Sequence, residues 1–169
     1  MKAENINPFL EAVSETFENM LGCSVITGEP SVDNETDTQN TPDIIGLIGL
    51  SGTAQGIVAI RFPVRTALRV VGTMIGVDFK AVDSSIIDGV GELVNIIAGS
   101  AKTKLEGHKI ALSLPSVVRG SLYRLNNLNN AVWLSLPFVC DMGEFSLMIS
   151  FKPTVVPKKE AVNACANSR

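Results

Sequence analysis

The chain is poor in histidine and cysteine, two residues that many enzymes use for acid–base or covalent chemistry. Its 169 residues include one histidine, His108, and three scattered cysteines, Cys23, Cys140 and Cys165, with no C-x-x-C pair. His108 lies in no arrangement of carboxylates or cysteines typical of a catalytic triad or a metal site, and a solvent-facing or capping role is expected for it. If the chain catalyses a reaction, we expect it to supply one or two groups to chemistry that another molecule already holds.

Several classes of partner are excluded by further absences. No Walker A sequence and no G-x-G-x-x-G after a strand is present, which argues against nucleotide binding. The net charge is −3 and no basic patch is interleaved with aromatic residues, so nucleic acid is not an expected partner. The longest apolar run, residues 44–50, is too short to span a membrane, and the N-terminus has no apolar segment of a secretory signal. Scattered unpaired cysteines fit a reducing compartment, so we expect a cytoplasmic protein without membrane contact.

Aliphatic residues are what the chain has in quantity. Hydrophobic residues make up 46% of the sequence and aromatic residues 5%, so isoleucine, valine and leucine must build the core. The length suits a single domain. We expect that domain to cover residues 1–152, with an acidic loop at 28–43 that has no calcium-loop pattern, and a flexible tail at 153–169.

The order of elements predicts an α+β fold. Asn7 and Pro8 are expected to cap and start a first helix that ends at Gly22, and Gly76 is expected to close a short helix over 66–75. Alternating or continuous apolar runs predict β-strands, with a break at Pro115 in one of them. The expected strands are 23–27, 44–50, 56–62, 110–114, 116–119, 132–138 and 145–151, with a turn at 126–130. We therefore predict an antiparallel sheet covered on one face by long helices.

The stretch 83–107 predicts one long amphipathic helix whose polar stripe is the best candidate for a site. At about 100° per residue, the stripe contains Asp88, Glu92, Asn95, Gly99 and Lys102, and apolar residues fill the opposite side. Gly89, Gly91 and Gly99 each cost about 1 kcal/mol relative to alanine inside a helix. Small residues around one glutamate and one asparagine leave a bare face that another backbone can approach, so we interpret the stripe as a docking surface.

The segment Asp88-Gly-Val-Gly-Glu92-Leu-Val-Asn95 resembles the signature of the CheC/CheX/FliY phosphatases of bacterial chemotaxis. That signature has an acidic residue or serine, then E-x-x-N, then a proline, and Pro115 matches it at a spacing a few residues shorter than in CheC. The segments 45–56 and 112–120 are similar to the corresponding CheX segments. One convincing E-x-x-N helix is present, as in CheX, whereas CheC has two.

The resemblance implies a phosphatase that hydrolyses the aspartyl phosphate of a CheY-like receiver. It implies that Asn95 positions the attacking water, that Glu92 pairs with the receiver's lysine, and that Asp88, Gly91 and Gly99 belong to the docking face. The chain would need no cofactor of its own, since the Mg²⁺ is expected on the receiver.

The resemblance also implies a homodimer joined through sheet edges, and the final hairpin is expected to offer such edges. Two alternatives remain open from the sequence. One is a module that binds a receiver without turnover, and the other is a dimeric scaffold whose helix stripe is merely solvated.

Overall fold

A computed structural model describes residues 5–33, 43–121 and 132–153. Three helices and eight strands are present in these ranges. They are α1 (Asn7–Leu21), β1 (Ile26–Thr27), β2 (Ser31–Asp33), β3 (Asp43–Gly52), β4 (Ala54–Pro63), α2 (Val64–Ile75), α3 (Ser84–Lys104), β5 (Ile110–Leu112), β6 (Ser116–Gly120), β7 (Trp133–Cys140) and β8 (Gly143–Pro153). The predicted turn at 126–130 lies outside the described residues, and so does the predicted tail 153–169 except for Pro153, which is the last residue of β8.

All strand pairs in the sheet are antiparallel. The order is β1-β7-β8-β4-β3-β5, with β2 also pairing with β7 and β6 also pairing with β3. The strands expected at 44–50 and 56–62 form the hairpin β3–β4, the predicted final hairpin is β7–β8, and the two hairpins are joined side by side through β4 and β8. The predicted break at Pro115 separates β5 from β6, and both of these short strands pair with β3.

The helices lie together on one face of the sheet, which confirms the predicted α+β layer. Alternate strand residues such as Ile48, Ile60 and Leu136 are fully buried against Phe17 of α1 and Leu93 of α3 in one continuous core. On the other face, a small second cluster is formed by Ile45, Ala59, Trp133 and Met148, all of them buried. No helix in the described ranges is long and apolar enough to cross a membrane.

The start of α1 differs from the prediction by one residue. Asn7 lies inside the helix and Ile6 is the N-cap, because the Ile6 carbonyl accepts from the amides of Phe9 (2.9 Å) and Leu10 (3.2 Å). Ile6 also packs against the core, which draws the first turn inward. The predicted end is confirmed, since Gly22 has a left-handed backbone with φ of 62°.

The expectation that the final hairpin offers free edges is wrong. Strand β7 is paired with β1 and β2 on its outer side, and β8 is paired with β4, so both strands are interior. The sequence did not reveal this because β1 and β2 are two and three residues long, too short for a recognisable period. In the described part of the sheet, the outer strands are β1 and β2 at one end and β5 and β6 at the other.

Helix α3 is fixed closely on the sheet and on α2 by two glycines. A Cβ on Gly46 of β3 would lie 2.9 Å from the Val90 carbonyl oxygen, and a Cβ on Gly89 would lie 2.5 Å from a Val71 methyl carbon of α2. The helix starts at Asp83, whose carboxylate accepts from the Ile86 amide at 3.1 Å. The orientation of the outward face of α3 is therefore fixed by the close packing of the helix on β3 and α2.

Candidate functional site

The polar stripe of α3 faces away from the sheet. Asp88 and Glu92 are exposed, and Asn95, Gly99 and Lys102 are half-buried. Because Glu92 and Asn95 are three residues apart, their Cβ atoms are neighbours at about 5–6 Å on the helix surface. The structure thus brings together the glutamate and the asparagine that the sequence singled out, with Asp88 one turn before them.

None of these three polar side chains is engaged within the described part of the chain. Asp88, Glu92 and Asn95 make no hydrogen bond or ion pair with another described residue. Lys104, near the end of the same helix, differs in this respect because it pairs with Glu11 (3.2 Å) and Glu15 of α1. The hydrogen bond that Lys104 donates to the Glu15 carboxylate raises the pKa of this lysine. The carboxylates and the carboxamide of the stripe are therefore available to an external partner.

The glycines of α3 fall into two groups with different surroundings. A Cβ added to Gly99 would meet nothing within 4 Å, so the helix face one turn beyond Asn95 is open. Gly91 is buried, and its Cβ position lies 3.4 Å from a Val117 methyl carbon and 3.9 Å from Pro115 Cβ. Gly91 therefore faces the turn between β5 and β6, whereas Gly99 lies on the open part of the face.

The turn 113–115 borders the site along the Gly91 side of α3. Ser113 is tied to β3, since its amide donates to the Gly49 carbonyl (2.9 Å) and its hydroxyl accepts from the Gly49 amide (2.8 Å). Pro115 packs beside Gly91. Between them, Leu114 is 88% exposed. Leu114 was not among the predicted site residues, although its place directly before the matching proline was a signal that could have identified it.

Among the residues that the structure describes, the remaining chemistry-bearing side chains form no second reactive centre. Burial and the neighbouring Cys140 thiol raise the pKa of Cys23 to about 11, which keeps this thiol protonated and unreactive. His108 is half-buried with its ring edge against Phe151 at 5.5 Å between centroids, so it is less solvent-facing than expected. In residues 5–33, 43–121 and 132–153, no group of three or more potential metal ligands is present.

More than half of the chain matches a known protein family. The model of the family described as "Chemotaxis phosphatase CheX" matches residues 44–139, which include all of α3 and the turn at Pro115. The chain belongs to the CheX family.

Relatives and solved structures agree with this family. The chain is 31% identical over 156 residues to the CheY-P phosphatase CheX of Thermotoga maritima, an alignment that covers 90% of this chain and 98% of that protein. A CheC-like superfamily protein from Shewanella sp. PV-4 is 27% identical with a TM-score of 0.81, covering 90% of this chain and 99% of that one. CheX of Borrelia burgdorferi, in a CheX–CheY–BeF₃–Mg²⁺ complex, is 24% identical and shares the fold at a TM-score of 0.75, covering 89% of this chain and 99% of that one.

Proposed function

We propose that this CheX-family protein is a phosphatase that hydrolyses the aspartyl phosphate of a CheY-like response regulator. The observation that carries the proposal is the pair of unengaged polar side chains, Glu92 and Asn95, on the open face of a rigid helix. The name of the Thermotoga relative, a CheY-P phosphatase, supports the same activity. So does the scarcity of histidine and cysteine in this chain, since an aspartyl phosphate carries its own reactive centre on the receiver.

Asn95 is the residue proposed to orient the attacking water. A carboxamide has both an acceptor oxygen and a donor nitrogen, so it can hold one water molecule in line with the phosphorus atom. The water oxygen forms a bond to phosphorus, the bond from phosphorus to the aspartate oxygen breaks, and the products are inorganic phosphate and the free carboxylate. This is catalysis by positioning, which needs no shifted pKa on the enzyme. The half-burial of Asn95 supports the role because it limits the directions in which the amide can point.

Glu92 is proposed to dock on the lysine of the receiver's phosphorylation site. Its carboxylate is exposed and lies on the same face as Asn95, so both side chains can reach one partner at the same time. A charge-assisted hydrogen bond to lysine would fix the register of the helix on the receiver. Asp88, exposed one turn earlier, extends the acidic contact.

Gly99 and Gly91 are proposed to serve the docking face in different ways. The open space around Gly99 lets the receiver's backbone approach α3 one turn beyond Asn95. Gly91 contributes indirectly. Because it has no side chain, Pro115 and Val117 can pack close to the helix. We propose that the receiver holds the Mg²⁺ that the reaction needs. We also propose that this protein and the receiver act together in the cytoplasm.

A homodimer is proposed to form through the β1–β2 edge of the sheet. Four large apolar side chains around this edge are more than half exposed, namely Ile26, Val32, Val132 and Val139. Apolar edges of this kind are usually covered by another chain or blunted by charge. A second copy added at this edge would extend the sheet across two subunits and leave α3 free.

The test of this function measures the rate at which a ³²P-labelled CheY-type receiver loses its phosphate in the presence of Mg²⁺. The protein is present in substoichiometric amount. Wild type is expected to accelerate decay with turnover, and Asn95→Ala to reduce kcat by about 100-fold or more, as loss of a positioning group does. Thr103→Ala, an exposed polar substitution two turns further along α3, serves as the matched control. If wild type binds the receiver but does not accelerate the loss of phosphate, the protein is a docking module and not an enzyme.

A further inference from the structure

An exposed leucine stands beside the proposed site. Leu114 is 88% exposed, while the other exposed large apolar side chains of the described chain range from 39% to 73%. A single exposed leucine is ordinary on a protein surface and by itself means little. The position of Leu114 and the way its backbone is held distinguish it from the others.

Both sides of the turn restrain Leu114. On one side, the Ser113 hydroxyl accepts from the Gly49 amide (2.8 Å) and donates to the Leu114 carbonyl (2.8 Å). On the other side, the Pro115 ring restricts the residue before it to extended backbone conformations and packs beside Gly91 of α3. The leucine is therefore held out into solvent by a rigid turn, and ordering it on binding costs little conformational entropy.

The turn is also continuous with the catalytic face. Gly91 lies four residues before Asn95, so the two occupy neighbouring positions on the helix surface, and the Pro115 side chain lies 3.9 Å from the Cβ position of Gly91. A receiver that meets Glu92 and Asn95 would thus meet the turn next to Pro115 on the same side of α3. The site then combines an acidic and amide centre with an apolar projection at its border, and a receiver that covers this projection would remove its apolar surface from water.

We propose that Leu114 is an apolar anchor that inserts into a hydrophobic depression of the receiver next to its phosphorylated aspartate. The proposal rests on the function proposed above and identifies a residue that determines affinity for the receiver. Leu114 acts in binding and does not touch the reacting atoms. Its contribution should therefore appear in KM and in the dissociation constant, and kcat should be unchanged.

The test measures the affinity of the full chain for a CheY-type receiver loaded with Mg²⁺ and BeF₃⁻, together with KM and kcat for the phosphorylated receiver. Leu114→Ala is expected to weaken binding and to raise KM by about tenfold, the effect of removing one buried aliphatic side chain. Leu114→Met should restore most of the affinity. Val118→Ala is the matched control, because Val118 pairs with Ile45 and points to the opposite face of the sheet.

Ionic strength separates the anchor from a charge effect. The loss caused by Leu114→Ala should persist at 0.5 M salt, where contacts between exposed charges are screened. Ser113→Ala, which keeps the leucine but releases the turn, should weaken binding by a smaller factor.

An unchanged dissociation constant in Leu114→Ala, with wild type active, would overturn the anchor and leave the phosphatase intact. A change in oligomeric state of Leu114→Ala in sedimentation velocity would also overturn it, because the leucine would then belong to a contact between copies. Absence of phosphatase activity in wild type would instead refute the proposed function itself.

Discussion

Glu92 and Asn95 share one face of α3 but are suited to different tasks. The glutamate is exposed and charged, which favours a contact that forms early and tolerates some movement of the partner. The asparagine is half-buried and neutral, which favours a fixed orientation toward a small target such as one water molecule. The proposed division between docking by Glu92 and water positioning by Asn95 rests on these surroundings.

Replacing Glu92 by glutamine should therefore reduce affinity more than turnover. The substitution keeps the shape and removes the charge, so we expect the dissociation constant for the Mg²⁺/BeF₃⁻-loaded receiver to rise by about 30-fold, with kcat at saturation within a few-fold of wild type. The difference between wild type and Glu92→Gln should shrink in high salt. Calorimetric titrations at two salt concentrations measure this, and a 100-fold loss of kcat with unchanged affinity would contradict the assignment.

At the scale of the element, α3 contains several glycines, which are poor helix formers, yet the helix packs closely on the sheet and on α2. Gly89 lies against Val71 of α2, Gly91 lies beneath Pro115, and Gly46 of β3 lets the helix approach the sheet, so these three glycines serve close packing. Gly99 has no such neighbour, and no packing reason for its presence is found among the described residues. That contrast is what makes Gly99 informative about docking.

Gly99→Ala should stabilise the fold and weaken the function. Alanine in the interior of a helix with open space around it should raise the free energy of unfolding by about 0.5–1 kcal/mol, seen as a small rise in melting temperature. The added methyl group would stand in the path of the receiver's backbone, so KM should rise severalfold. Thermal unfolding and phosphatase assays on the same preparation test both effects, and a stabilised variant with unchanged KM would exclude Gly99 from the docking face.

The sequence predicted α3, its stripe and both long hairpins because each of these depends on local periodicity. It did not predict that Pro115 would lie against Gly91, because that contact requires β5 and β6 to pair with β3, whose paired residues lie 58 to 77 positions earlier in the chain. It also placed the open sheet edge at the final hairpin, since the short strands β1 and β2 carry no readable pattern. The proposed site residues could be chosen from the pattern of one helix, while the border of the proposed site depended on long-range pairing.

At the scale of the whole molecule, the sheet separates two surfaces. The helices cover one face and present the proposed site on the outside of α3, while the apolar edge at β1 and β2 lies at the far end of the strand order from β6. A dimer through that edge would leave both sites accessible to receivers.

Ile26→Lys should dissociate this dimer. Ile26 is 73% exposed and pairs with Val139, which is also exposed, so a lysine there would place a charge into the proposed contact between subunits. Sedimentation velocity is expected to show a monomer for Ile26→Lys and a dimer for Val118→Lys, the matched substitution near the opposite edge. The reverse result, or a monomeric wild type at micromolar concentration, would contradict the assignment of this edge.

The most direct test of the central claim separates binding from hydrolysis at Asn95. Asn95→Ala would be added to the phosphorylated receiver at a concentration that saturates binding, as established with the Mg²⁺/BeF₃⁻ form, and the decay of the bound phosphate would be followed. The account predicts that the complex forms with nearly wild-type affinity and that its phosphate decays about as slowly as on the free receiver. Decay at the wild-type rate in the Asn95→Ala complex would show that another group positions the water, and would contradict the account.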